Sequence, residues 1–169
     1  MTNDKTKVSR AAGRRILALA AVVALSLTLL ACGKKSPEDL LTEAHTAAQR
    51  GDTIGALLKA QKVVRQYPND PLAGEARILI AASHVQNGEM DSARKTLEEA
   101  IESAGIGTPL GQQAFRHLVA TYNMSNDTDG AIAKIEETLA QITGMPEFSR
   151  EARLMLATFY HSSGKGEKA

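Results

Sequence analysis

A single cysteine, Cys32, in 169 residues excludes an intramolecular disulfide, so the chain needs no oxidative folding. Nor is there an apolar run long enough to cross a membrane comfortably. The one candidate, Ile16 to Leu29, falls short of the roughly 20 residues required. It then meets Gly33-Lys34-Lys35-Ser36-Pro37, which cannot continue a membrane helix. No segment shows the strict apolar–polar alternation of a half-buried strand, which points to an all-α fold. A Gly-x-Ser-x-Gly nucleophile motif, a phosphate loop and a dinucleotide fingerprint are all missing, so the sequence reads as a non-enzyme with no cofactor.

What is present at the N-terminus is organised around the cysteine. Five basic residues (Lys5, Lys7, Arg10, Arg14, Arg15) precede the apolar stretch, and small Ala31 stands next to Cys32, the layout of a secretory signal. Leu29-Leu30-Ala31-Cys32 resembles a bacterial lipobox. That resemblance implies cleavage before Cys32, acylation of its thiol with diacylglycerol and a stable anchor of two or three chains, where one chain would bind only marginally. Residues 1–31 are then a signal peptide and residues 32–36 a lipidated tether. Five residues extend at most about 17 Å, so the tether holds whatever follows close to the membrane surface. Gly33 after the cysteine, rather than aspartate, resembles the sorting pattern of outer-membrane lipoproteins in enteric-type bacteria, which implies the periplasmic face of the outer membrane.

Removing residues 1–31 takes the formal charge from +1 to −3 and leaves 138 residues, enough for one core of ordinary size. The remaining basic residues alternate with Glu and Asp along helical faces instead of forming a stripe, which excludes nucleic acid as a partner.

The mature part repeats. A turn residue followed five positions later by alanine recurs as Gly51/Ala56, Gly88/Ala93, Asn126/Ala131 and Gly164/Ala169, with spacings of 37, 38 and 38 residues. A residue tolerant of left-handed backbone is needed at each interhelical turn. A small residue is needed where the second helix crosses the first closely. Larger contacts follow at Ala60, Leu97 and Ile135, with Val63 and Ala100 beyond them. The pattern resembles the tetratricopeptide repeat, a helix–turn–helix unit, with units at about 37–70, 71–107, 108–145 and an incomplete 146–169. The resemblance implies a helical solenoid of antiparallel helix pairs. Ser36-Pro37, Asp70-Pro71 and Thr108-Pro109 each set a capping side chain before a proline suited to the first helical turn. Helices are predicted at 37–50, 53–67, 71–87, 90–104, 109–124, 127–142 and 146–163. Ala169 occupies the small-residue slot of a fourth unit whose second helix has barely begun, so a longer parent protein is expected. Without a following helix, Leu154, Leu156, Phe159 and Tyr160 are expected to lack a partner.

Two constellations tempt a metal reading. Ser125 to Glu136 resembles an EF-hand loop, with glycine sixth and glutamate twelfth, but Ser125 replaces the leading aspartate and leaves the site one carboxylate short. The repeat explains the same residues: Asn126 turns the chain, Asp127 to Asp129 cap the next helix at its positive end, and Ala131 packs. His45, His84, His117 and His161 fall one per unit with no i, i+4 ligand pair, so no metal site is expected.

Arrays of this family bind extended peptides or partner helices in the groove lined by the first helix of each unit. By periodicity, the groove positions here are His45, Gln49, Ile78, Gln86, Arg116, Asn123, Leu154 and His161, a neutral and partly apolar set. The carboxylate clamp of some family members is not carried over, because Leu41 and His45 occupy its first-unit positions. The expected function is a membrane-anchored scaffold for envelope proteins or peptides in assembly or export. A docking arm for a longer enzyme and a periplasmic holdase chaperone are the alternatives.

Overall fold

The computed structural model describes residues 34–164. The signal segment, Cys32 and Ala169 lie outside the described residues. The helical unit starts at Pro37 and contains α1 (Pro37–Gln49), α2 (Thr53–Gln66), α3 (Leu72–Gln86), α4 (Met90–Ala104), α5 (Pro109–Met124), α6 (Thr128–Gln141) and α7 (Pro146–Ser162). Each helix end falls within one residue of its predicted place, and no strand occurs among the described residues. None of these helices is long and apolar enough to cross a membrane.

Turn chemistry sets the hairpins. Gly51, Gly88, Asn126 and Gly164 all take positive φ, between 54° and 77°; among the described residues Asn126, at 54°, is the one with a side chain to do so. After two of these turns an aspartate caps the next helix. Asp52 Oδ1 accepts from the Gly55 N–H at 2.8 Å and Asp127 Oδ1 accepts from the Gly130 N–H at 2.9 Å. Such a cap contributes about 1 kcal/mol. Thr108 caps α5 as the sequence indicates, its Oγ1 accepting from the Gly111 N–H at 3.0 Å. The Asp70-Pro71 expectation shifts by one residue. Pro71 itself takes the capping position, and the Asp70 carboxylate reaches over it to accept from the Leu72 N–H at 2.9 Å.

The core steps along the array. One buried cluster joins Leu40, Leu41 and Ala44 of α1 to Ala60 and Val63 of α2 and to Ala76 and Ile80 of α3. The next takes Ala81 from α3, one residue on, with Ala93, Leu97, Ala100, Ala114 and Leu118. The third uses Phe115 and Val119 on either side of Leu118, together with Ala131, Ile132, Ile135, Phe148 and Ala152. Neighbouring residues on α3 and on α5 thus point into successive cores, so each of these two helices is shared between two units. The crossing alanines Ala56, Ala93 and Ala131 are all buried.

Polar bridges follow the same step. Arg94 of α4 lies 4.0 Å over the Tyr122 ring, hydrogen-bonds the Ser125 hydroxyl and pairs with Asp127 at 3.5 Å, tying the second unit to the third turn. Lys134 of α6 meets Glu98 of α4 at 2.8 Å and Glu137 at 3.0 Å. Burial alone would lower the Lys134 pKa, but its hydrogen bonds to these two carboxylates outweigh that and raise it.

The expectation for the last helix is corrected in part. Phe159 and Tyr160 are buried in the third cluster and Leu156 packs against it, while Leu154 stays 64% exposed. The Tyr160 hydroxyl donates to Glu136 of α6, a hydrogen bond that holds the phenol above its ordinary pKa. Helix α7 thus packs on α5 through Phe148 and on α6 through Tyr160, while Leu154 faces away from both.

Candidate interaction groove

The odd-numbered helices α1, α3 and α5 touch one another in succession, which places one face of each along a common side of the array. Between α3 and α5 this side opens into a cleft of about 260 Å³. From α3 it is lined by Ile78, Ala82, Val85 and Gln86, and from α5 by His117, Ala120, Thr121 and Met124. The spacings from 78 and from 117 keep each set on a single helical face. Ala81 and Leu97 form the buried floor. Ala82 and Ala120 face each other's helices with nothing beyond a methyl group, and that missing bulk is the cleft. Met124, 56% exposed, stands at one end as a flexible apolar wall.

Little charge reaches the cleft. Burial lowers the His117 pKa, and the Arg116 guanidinium beside it lowers it further, which favours the neutral imidazole. Because the folded pKa lies below the ordinary value, the unfolded chain takes up the proton first and stability falls as pH drops below that value. Replacing His117 by glutamine is therefore expected to flatten the acid side of the stability curve, checked by urea unfolding of both proteins at pH 7.5 and 5.5. An equal loss in the two proteins would remove His117 from the account. Gln86, at the rim, accepts from the Thr53 hydroxyl at 3.0 Å.

Of the eight groove positions read from the sequence, Ile78 and Gln86 meet in this cleft. The other six do not join them. His45 bridges α1 to α3 through Glu75 at 2.9 Å, and Arg116 bridges α5 to α7 through Glu151 at 3.3 Å. Gln49 and Asn123 are exposed on α1 and α5, Leu154 and His161 on α7. The sequence reading missed Ala82, Val85, His117, Ala120 and Met124. A signal for three of them was available. One repeat on from His45 stand Ala82 and then Ala120, and one repeat on from Gln86 stands Met124. Alanine reads as packing, although here it supplies the space.

A larger hollow of about 590 Å³ lies elsewhere, among the loops that join the units, lined by Pro68, Pro71, Gly74, Ala104, Thr108 and Leu110 with Asn69, Asp70 and Ser103. Of its polar groups, Asp70 and Thr108 serve local turns. Among the described residues, no three His, Cys, Asp or Glu side chains converge as a metal site would require. In the EF-hand-like stretch, the Asp127 carboxylate is engaged by the Gly130 N–H and by Arg94.

A family model described as tetratricopeptide repeat matches residues 41–109 and again residues 78–146, so the two matches overlap by one unit. No curated protein matches the chain. A crystal structure of MamA is similar at TM-score 0.60 and 22% sequence identity, over 83% of this chain and 75% of that one. A second crystal structure of MamA protein is similar at TM-score 0.42 and 18% identity, over 78% of this chain and 85% of its own. At such identity the first likeness establishes the shared helical-repeat fold.

Proposed function

The chain belongs to the tetratricopeptide repeat family, and from that premise we propose that it is a membrane-anchored protein-interaction scaffold. In this reading it is an outer-membrane lipoprotein, held through Cys32 at the periplasmic face, whose odd-numbered helices receive a segment of an envelope protein in assembly or export. The observation that carries the binding half is the cleft between α3 and α5. It is apolar, uncharged and sized for one large side chain. Burying such an anchor contributes about 1.5–3 kcal/mol, the scale of a single hot spot. The lipobox residues Leu29 to Cys32 carry the anchoring half.

The two halves separate in one experiment. Labelled palmitate should enter the wild-type protein and an Ala120→Glu variant but not Cys32→Ala. Crosslinking in native envelopes should recover a recurring partner with wild type and lose most of it with Ala120→Glu, whose carboxylate would fill an exposed part of the cleft without touching the core. Palmitate retained by Cys32→Ala would sink the lipoprotein reading. Undiminished capture by a folded Ala120→Glu protein would move the partner off this cleft.

A further inference from the structure

Helix α2 differs from the other six and departs from the interspersed charge read from the rest of the sequence. It holds Lys59, Lys62 and Arg65 and no acidic residue; α5, the other helix without an acid, holds one arginine. None of the three cations on α2 takes part in an ion pair among the described residues, whereas Arg94, Arg116, Lys134 and Arg150 all do. Ala56, Ala60 and Val63 form the buried side of α2. On the opposite side, Ile54 is 73% and Leu58 61% exposed, one turn apart, and Gln61 and Arg65 continue the same face. A single exposed aliphatic residue is unremarkable on a protein surface. Two in register, followed by Arg65 on the same face and bordered on one side by the half-buried Lys62 and Lys59, form the apolar-plus-basic face of a helix that lies in a membrane interface; the carboxylate nearest along the chain, Asp52, is engaged in capping the helix.

We infer that the outward face of α2 rests on a bilayer surface bearing anionic headgroups, with Ile54 and Leu58 entering the interface and Lys59, Lys62 and Arg65 meeting phosphates. Charge complementarity selects this occupant: a helix of charge +3 stands within a mature chain of net charge −3, so attraction to an anionic surface is concentrated on this helix. The inference rests on the lipid-anchored reading only in that the short tether keeps the fold near the membrane. Docked this way, the array lies down through an even-numbered helix and leaves the cleft between α3 and α5 free for its partner.

The natively processed full chain tests the idea. With Cys32 blocked by acylation, Leu58→Cys supplies the one free thiol for a nitroxide, and Ala133→Cys, exposed on α6, serves as the control. In vesicles of phosphatidylcholine with phosphatidylglycerol, collisions of the label at 58 with a water-soluble nickel relaxer should fall roughly threefold or more relative to the label at 133. The protection should vanish in phosphatidylcholine alone and in a Lys59→Glu, Lys62→Glu, Arg65→Glu background. Equal accessibility at 58 and 133, or protection at 58 that appears only when another protein is added, overturns the proposal. Mass spectrometry of the labelled chain reads the anchor separately. A nitroxide on Cys32 refutes acylation, and the accessibility at 58 still decides whether α2 binds the bilayer.

Discussion

Gly111→Ala should lower the melting temperature by several degrees, although helix propensity alone favours alanine by about 1 kcal/mol. A methyl group at Gly111 would stand 2.1 Å from the carbonyl oxygen of Gly105 and 2.7 Å from its carbonyl carbon. That carbonyl cannot swing aside, because it accepts from the Thr108 hydroxyl at 2.9 Å while the same oxygen of Thr108 caps the Gly111 N–H. The start of α5 and the end of α4 would have to separate. Overpacking of this kind costs typically 1–3 kcal/mol, and each kilocalorie lost moves the midpoint by roughly 3–4 °C in a fold of this size. Gly130→Ala is the informative comparison. The three atoms nearest its methyl group all belong to the Asp127 side chain, which can rotate away at the cost of one cap. Thermal unfolding of the two variants side by side checks the argument. Equal midpoints would mean that the Gly105 loop yields and that the close approach is soft.

Phe115→Ala should be the most damaging single truncation of a core side chain. The ring is 1% exposed and meets Phe148 of α7 edge-on, with centroids 5.5 Å apart and planes at 81°. Emptying such a site costs about 3–5 kcal/mol, and the lost aromatic pair adds about 0.5–1.5 kcal/mol. Against a total stability of about 5–15 kcal/mol, that is enough to uncouple part of the array. The position of the damage is the sharper test. In a repeat protein each unit is supported by its neighbours, so the loss belongs to α5, α6 and α7 and spares α1 and α2. Amide exchange followed by mass spectrometry should show protection falling in residues 115–162 and persisting in residues 40–66. A uniform loss along the chain would mean that the array unfolds as a single cooperative block.

Much of the fold was legible because the repeat is written in residues with strong local meaning. The turn residue and the crossing alanine mark each hairpin, prolines mark three helix starts, and seven helices follow. Less legible were features that depend on atoms a loop or a repeat away. Gly105 and Gly144 also take positive φ, yet they close the loops between units, where the turn-plus-alanine spacing does not reach. Gly111 reads as a weak helix residue until the Gly105 carbonyl is placed beside it. Arg94 reads as a surface charge until Tyr122 and Asp127 are brought beneath and beside it. The groove suffered most. The family resemblance pointed to the first helix of each unit and periodicity to positions on it, but long polar side chains such as His45 and Arg116 fold across to the neighbouring helix and leave the open space to the alanines.

The stepping core also bears on how the chain acquires its structure. Every buried cluster is completed by a helix pair and the helix that follows it, and the bridges of Arg94, Lys134 and His45 reach about one unit along the chain. Loop closures of that length carry a small entropic penalty, so the topology favours fast folding. Among the described residues, the buried cluster and the polar bridges of α1 and α2 reach no further than α3. A chain delivered end first, from a ribosome or through a narrow passage, can therefore set its opening unit as soon as α3 has emerged, with the rest added in order.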